Sequence, residues 1–170
     1  YRRLGNIHAE QGRLGQAEKC LRRSLKLLLP VFDVGQIAAV YNSLGIVCRR
    51  LGDLPRAAAH YEHALQYWEK ANNFGASALT LNNMAMLYRR QGQYELALNA
   101  IEAGLEKART AGYRRAEAGL FINLGDLKRD LGSFAEALSS YSQALELARQ
   151  VMDTSQTAEA VAGSGQCYSL

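Results

Sequence analysis

Hydrophobic residues recur along the chain at the three- and four-residue spacing of an amphipathic helix, in segments separated by short polar turns. One segment runs from about Ile37 to Arg50, and the next from about Leu54 to Ala71. Between them lies Leu51-Gly52-Asp53, where glycine suits the left-handed end of a helix and aspartate offers an oxygen to cap the next one. The first segment places its apolar residues at Val40, Tyr41, Leu44, Val47, Cys48 and Leu51. The pattern therefore predicts a pair of helices joined by a tight turn.

This pair repeats every 40 residues, and the 170-residue chain holds four copies and a remainder. We predict one domain over 1–170, with copies at about 1–36, 37–76, 77–116 and 117–156 and a partial fifth at 157–170. Because the chain starts with Tyr1, we expect it to be cut from a longer protein. The repeated columns are Gly12, Gly52, Gly92 and Gly132; Ala17, Ala57, Ala97 and Ala137; and Leu25, Leu65, Leu105 and Leu145.

The columns resemble the tetratricopeptide repeat (TPR), which places small and large residues at fixed positions of a helix hairpin. The resemblance implies an all-α fold, a right-handed α-solenoid of stacked antiparallel hairpins whose first helices line a concave groove. The third copy departs from the pattern at Ala85 and Gly104, and the first at Leu21 and Ser24. The matching residues of the second and fourth copies are Tyr41, Leu44, Gly45, Gly52, Leu54, Ala57, Tyr61 and Ala64, and Phe121, Leu124, Gly125, Gly132, Phe134, Ala137, Tyr141 and Ala144.

A repeat of 40 residues is longer than the usual unit of the family. This longer class resembles the repeats of kinesin light chains, of Pins/LGN polarity adaptors and of bacterial regulators, including LuxR-type activators. The segment from Leu79 to Ala85 is similar to the kinesin light chain form. The resemblance therefore implies either an interaction scaffold or the sensory arm of a transcription regulator.

The resemblance also implies which residues line the groove, since the family uses fixed positions of the first helix of each copy. The set includes the apolar residues Ile46, Met86 and Ile122, which we expect to form pockets between polar contacts. The polar and charged candidates for partner binding are Asn6, Asn42, Ser43, Arg50, Asn82, Asn83, Arg90, Asn123 and Asp126. The remaining positions are Arg2, Arg3, Ala9, Glu10, Ala39, Arg49, Leu79, Arg89, Gly119, Arg129 and Asp130.

The asparagines are notable because asparagine is a poor helix former and packing does not require it at these positions. Its amide both donates and accepts, so it can hold the backbone of an extended peptide. Arg50 and Arg90 occupy one column and could bind a carboxylate or phosphate. Two alternatives stay open: the asparagines solvate the groove, and the arginines only complement the ends of their helices.

The charge distribution and the cysteine content indicate no further functional site. The net charge is +4, and it falls from +4 over residues 1–38 to −3 over residues 119–170. The arginine doublets are scattered among glutamates, so we expect no direct nucleic-acid binding. Three cysteines without metal-type spacing indicate reduced thiols and a cytoplasmic protein. No apolar run is long enough to span a bilayer, so we expect no membrane contact.

We also expect no enzyme activity, no cofactor and no metal site. His60 and His63 share a helix face, but no further ligand accompanies them, so surface histidines are the favoured interpretation. Nor do Cys20 and Cys48 belong to a nucleophile constellation, and we interpret them as small core residues.

Three hypotheses follow. The first is a scaffold that binds a peptide or protein segment in the groove. The second is the effector-sensing arm of a bacterial transcription regulator whose ATPase and DNA-binding domains lie outside this chain. The third is end-to-end self-association through apolar residues of the last helix, namely Val161, Cys167, Tyr168 and Leu170.

Overall fold

The computed structural model describes residues 1–168, which form nine α-helices and no strand within that range. A single 3-10 turn, Leu29–Val31, follows the second helix. The helices are α1 (Arg2–Glu10), α2 (Leu14–Leu28), α3 (Val34–Arg50), α4 (Leu54–Lys70), α5 (Phe74–Arg90), α6 (Tyr94–Thr110), α7 (Arg114–Asp130), α8 (Phe134–Gln150) and α9 (Thr154–Cys167). From α3 onward, alternate helices begin 40 residues apart, so the predicted period is confirmed.

The predicted ends of the helices are nearly correct. Gly52 has φ +83° and ends α3, and the Asp53 carboxylate accepts a hydrogen bond from the Arg56 N–H at 3.1 Å, which caps α4. The prediction was wrong at the turn before α3, which is shorter than expected. Because the Asp33 side chain caps the helix through Gln36, α3 begins at Val34 rather than at Ile37.

The chain forms two compact units, Tyr1–Asn83 and the residues from Met84 onward, which are called the first and second units below. The predicted single domain stays a prediction, as does the partial fifth copy, which extends beyond the described residues. In the first unit, the core lies between α1, α2 and α3. Its buried residues are Ala9, Ala17, Leu21, Val40, Leu44 and Val47.

Small residues allow the helices of a hairpin to approach closely, as the repeat pattern predicted. Ala57 is fully buried, and Gly45 lies directly against the ring of Tyr61. In the second unit, a Cβ atom on Gly125 would lie 2.6 Å from a carbon of the Tyr141 ring. In these two hairpins the tyrosine ring of the second helix therefore occupies the space that the glycine leaves.

Some of the apolar residues that we expected to be exposed on α9 are exposed. Val161 and Tyr168 are exposed, and Cys167 is half-buried. Leu170 lies outside the described residues. End-to-end self-association through this helix stays a prediction.

Candidate functional site

The first unit contains a cavity of about 380 Å³. It lies where α1, α3 and α5 present their side chains, and α4 contributes one residue. The lining residues are Arg2, Asn6, Ala9, Glu10, Ala39, Asn42, Ser43, Ile46, Arg50, Trp68, Ala76 and Leu79. All but Trp68 and Ala76 belong to the groove positions that the family resemblance implied.

Asparagine side chains at this cavity are hydrogen-bonded to each other. The Asn83 amide donates to Oδ1 of Asn42 at 3.3 Å, and Oγ1 of Thr80 lies 3.3 Å from the same oxygen. Thr80 is fully buried and also donates to the Ala76 carbonyl at 3.0 Å. Asn42 and Asn83 are therefore also joined to each other within the first unit, a contact that the sequence did not indicate.

Arg50 reaches from α3 to the end of α1. Its Nη1 donates to the Ala9 carbonyl at 2.5 Å, and the same carbonyl accepts the backbone N–H of Gly12 at 3.0 Å. The positive charge also complements the dipole of α1. Arg50 thus complements a helix end, the structural role that we set against partner binding for the arginines. Its side chain also lines the cavity. Arg90, in the same column, is exposed.

Trp68 lies at the cavity, although its spacing on α4 is that of the inward face of the hairpin. It is only half-buried, and its indole N–H makes no hydrogen bond among the described residues. An indole N–H usually finds a partner when it is buried. The spacing of α4 could not reveal this position, because an inward-facing residue near a helix end can face either core or cavity.

In the second unit, charged groups are paired with each other along the same columns. Arg89 lies 3.0 Å from carboxylate oxygens of both Asp126 and Asp130. Asp126 also accepts a hydrogen bond from the Tyr141 hydroxyl at 2.7 Å, and Arg129 donates to that hydroxyl at 3.0 Å. Asp126 was a candidate for partner binding, but here its carboxylate is engaged by three neighbouring side chains.

Burial and that carboxylate together raise the pKa of the Tyr141 phenol, since both disfavour its ionised form. In the first unit, Tyr61 occupies the corresponding position. Burial raises the pKa of Tyr61 as well, and the Arg49 guanidinium opposes this effect. The Tyr61 hydroxyl nevertheless makes no hydrogen bond among the described residues.

The remaining groove candidates differ in exposure. Asn123 is only 6% exposed and is engaged within the molecule, so its amide is not presented to a ligand. Ile122 is also buried, so it packs inside the unit rather than forming the pocket expected of it. The half-buried candidates are Asn6, Asn42, Ser43, Ile46, Asn82, Asn83 and Met86, of which Asn82 is engaged within the molecule.

The histidines of α4 pack against an aromatic side chain of α3. The Tyr41 ring centroid lies 5.0 Å from that of His63 and 5.9 Å from that of His60. Burial lowers the pKa of His60, and the neighbouring His63 and arginines add to that effect. Within residues 1–168, no group of three or more histidine, cysteine, aspartate or glutamate side chains is placed to hold a metal ion.

Cys48 is fully buried, as expected of a core residue, and burial raises the pKa of its thiol. Cys20 is half-buried, and all three cysteines are free. In the part of the chain that the structure describes, none of the helices combines the length and the apolar character needed to cross a bilayer.

A family model described as tetratricopeptide repeat matches the chain over residues 1–70, 36–110 and 76–150. Together these ranges cover nearly the whole chain, and they agree with the columns of glycine, alanine and leucine. Such repeats indicate a protein–protein interaction scaffold.

Curated proteins with similar sequences include Photosystem I assembly protein Ycf3 from Prochlorococcus marinus. The protein of strain MIT 9313 is 32% identical over 80 residues, which is 47% of this chain and 44% of that protein. The protein of a further strain, SARG, is 28% identical over 94 residues, which is 55% of this chain and 53% of that protein. The chain thus spans about half the length of the curated relatives that it matches.

Solved structures with the same fold include BtubC (BKLC) from P. vanneervenii, with a TM-score of 0.82 and 22% identity over 98% of this chain and 69% of that one. The TPR-like repeats of a kinesin light chain-type protein from Podosopora anserina give a TM-score of 0.75 and 12% identity, over 99% of this chain and 83% of that one. At these identities the likeness shows the fold alone, an all-α fold of TPR-type helix hairpins. No comparison supports the transcription-regulator alternative.

Proposed function

Because the chain belongs to the tetratricopeptide repeat family, we propose that it is a non-catalytic scaffold that binds a peptide or protein segment in the cavity of the first unit. The repeat fold is typically non-catalytic. The observation that carries the proposal is the lining of the cavity, in which polar amides, charged side chains and apolar surface alternate over a volume of about 380 Å³.

The proposed contact with the partner's backbone is made by Asn42. Its amide oxygen is engaged by Asn83 and Thr80, which holds the side chain in one orientation. The Nδ2 group then stays available to donate to a carbonyl of the partner. A preoriented donor loses little rotamer entropy on binding, so the contact favours affinity.

Apolar contacts come from Ile46, Leu79 and the half-buried face of Trp68. These side chains line the same cavity as Asn42, so one extended segment can meet both kinds of surface. The Trp68 indole N–H is a further donor without a partner among the described residues, and a ligand carbonyl that reaches it satisfies a buried polar group.

The other candidate residues support the contact made by Asn42 or lie outside the proposed binding surface. Asn83 orients Asn42 rather than contacting the partner, and Asn6, Ser43 and Arg50 contribute at the rim. We leave Asn123 and Asp126 out of the binding surface, because the first is buried and the second is ion-paired. Asn82, Met86 and Arg90 stay predictions.

The test is selection of short linear peptides from a random displayed library on the immobilised chain. Affinities of an enriched peptide are then measured for the wild type and for Asn42→Ala, Ile46→Arg and the control Asn99→Ala, which removes an exposed asparagine of α6. We expect Asn42→Ala to weaken binding about 3- to 10-fold, as for loss of one hydrogen bond. Ile46→Arg is expected to weaken it more, and Asn99→Ala to leave it unchanged.

Circular dichroism must show that all three variants keep their helices. If folded Asn42→Ala and Ile46→Arg both bind the peptide as tightly as the wild type does, the cavity is not the binding site. If the library yields no peptide, the same variants are compared for capture of larger folded domains. Failure there as well contradicts the scaffold proposal.

We also propose that the protein acts in the cytoplasm. The support is that all three cysteines are free, with Cys48 fully buried, which suits a reducing compartment.

A further inference from the structure

One surface of the first unit combines positive charge with exposed apolar side chains. The outer face of α2 carries Lys19, Arg22, Arg23 and Lys26, and the turn that follows exposes apolar side chains of residues 29–32. We call the whole surface the α2 patch. The exposed fractions are 55% for Leu27, 43% for Leu29, 74% for Val31 and 62% for Phe32.

We propose that the α2 patch docks on the surface of an anionic lipid bilayer. The sequence alone led us to expect no membrane contact, and the exposed turn beside a basic helix face changes that expectation. Peripheral docking requires no membrane-spanning helix, since an amphipathic surface lies in the headgroup region and buries only its apolar side chains.

The four copies of the repeat provide an internal comparison of charge. Residues 19–32 contain four basic and no acidic side chains, for a charge of +4. The corresponding residues 59–72 contain one basic and two acidic side chains, for −1. Residues 99–112 and 139–152 each contain equal numbers of both, for 0. The repeat fold therefore does not require the positive charge of the α2 patch.

Existing contacts leave most of this charge available. Arg22 is paired with Glu18 at 2.8 Å, and Glu18 is also bound by Arg56. Lys19 and Lys26 make no ion pair among the described residues. Arg23 lies 4.9 Å from the centroid of the half-exposed Tyr1 ring, so an aromatic side chain of the kind enriched at membrane interfaces lies beside the patch.

The turn after α2 also has an unusual backbone. Phe32 has φ +54°, the left-handed conformation that glycine adopts readily and that is unfavourable for a bulky side chain. The third copy has Gly112 at this position and the second has Asn72, both residues that tolerate it. Pro30 stiffens the same turn because its ring fixes φ. The fourth copy holds the exposed Met152 at φ +53°, so what distinguishes Phe32 is an exposed aromatic ring beside a basic helix face.

A bilayer fits this surface better than an acidic polypeptide does. The apolar residues project from a turn between two helices, and a soluble partner needs a complementary pocket to bury them. A bilayer interface offers anionic headgroups to the α2 side chains and acyl chains to Val31 and Phe32 at once.

The direct test is sedimentation of the 170-residue chain with vesicles. We expect binding to vesicles of equal parts phosphatidylcholine and phosphatidylserine, and much weaker binding to phosphatidylcholine alone. Binding should fall between about 0.1 M and 1 M salt, because the screening length decreases from about 10 Å to about 3 Å.

A matched pair of variants separates the apolar contribution from folding. Phe32→Gly and Met152→Gly each place glycine where the backbone is left-handed, and Met152 is 87% exposed at the end of a segment, residues 139–152, that has no net charge. Neither variant should lower the melting temperature. We expect Phe32→Gly to weaken vesicle binding about 10-fold through the lost apolar burial, and Met152→Gly to leave it unchanged.

A second pair tests the charge. Lys19→Gln with Lys26→Gln should weaken binding about 25-fold, given roughly 5-fold for each basic side chain near an anionic surface. Arg114→Gln with Arg149→Gln changes the net charge equally on another part of the chain and should have little effect. The proposal is overturned if the double lysine variant and the double arginine variant lose vesicle binding equally. It is also overturned if both Phe32→Gly and the double lysine variant bind vesicles as the wild type does. Binding to soluble polyglutamate but not to vesicles also overturns it, and assigns the α2 patch to an acidic protein.

Discussion

The groove positions of the first and second units follow the same 40-residue repeat, but the side chains at these positions differ in what they bind. In the second copy the column positions hold Ile46 and Arg50, and a cavity lies beside them. Two repeats later, the same column positions hold Asp126 and Asp130, which instead bind Arg89 in a network of ion pairs. The difference teaches that the repeat fixes where a side chain lies, whereas its neighbours decide whether it is free to bind a partner.

The largest expected effect concerns what the two units share. Gly45→Ala and Gly125→Ala each place a methyl group against a tyrosine ring of the same hairpin. Overpacking of this kind costs about 1–3 kcal/mol, so urea denaturation should show a loss of that size in both units. Gly15→Ala is the control, because no atom lies within 4 Å of its added methyl group. It should raise stability by about 0.5–1 kcal/mol, and a loss for Gly15→Ala as large as for Gly45→Ala contradicts the steric account.

Replacing Asp126 should lower the stability of the second unit through a contact that the first unit does not have. In Asp126→Ala, Arg89 and Arg129 lose a carboxylate while each is only about a fifth exposed, and the Tyr141 hydroxyl loses its acceptor. We expect a loss of about 1–3 kcal/mol, because two partly buried arginines keep only Asp130 as a carboxylate partner and a buried hydroxyl loses its acceptor.

The corresponding change in the first unit is Ile46→Ala, which removes apolar surface from a cavity wall rather than from the core. It should cost less than Asp126→Ala does. Equal losses for the two variants mean that the ion pairs of the second unit contribute no more than ordinary packing.

A smaller effect is expected in acid, and only in the first unit, since the three histidines are His8, His60 and His63. Burial lowers the pKa of His60 in the folded state, so between pH 7 and pH 5 the unfolded chain binds more protons there. Stability contributed by the neutral ring is therefore present above the ordinary histidine pKa of about 6.5 and is lost as the pH falls from there through the lower pKa of the folded state.

The measurement is amide hydrogen exchange of both units at pH values across this range, corrected for the intrinsic rate. Protection in α3 and α4 should fall in the wild type and fall less in His60→Asn. Loss of protection that is equal in α7 and α8, or unchanged in His60→Asn, rules out His60 as the cause.

The sequence predicted the hairpins well because their determinants are local. The spacing of Leu44 and Val47, the αL glycine at Gly52 and the capping oxygen of Asp53 each act within a few residues. The close approach of the two helices at Gly45 and Ala57 also followed from the repeat, since small residues recur in fixed columns.

The site was harder to predict because its state depends on residues about 40 positions apart. The sequence gives no local sign that Asn83 binds the Asn42 oxygen, or that Arg89 occupies Asp126. Trp68 was missed for the same reason: its periodicity indicates the inner face of α4, but only the neighbouring helices determine whether that face meets core or cavity.

The central claim is that the first unit is open for a partner where the second is closed by ion pairs. A reciprocal exchange of the differing column residues tests it directly. Ile46→Asp with Arg50→Asp gives the first unit the acidic residues of the second, and Asp126→Ile with Asp130→Arg makes the opposite change. The affinity of a peptide selected on the wild-type chain is measured for both folded double variants. We predict a loss of at least about 10-fold for the first exchange, as for more than one lost contact, and unchanged affinity for the second. Undiminished binding by the first variant, or loss confined to the second, contradicts the account.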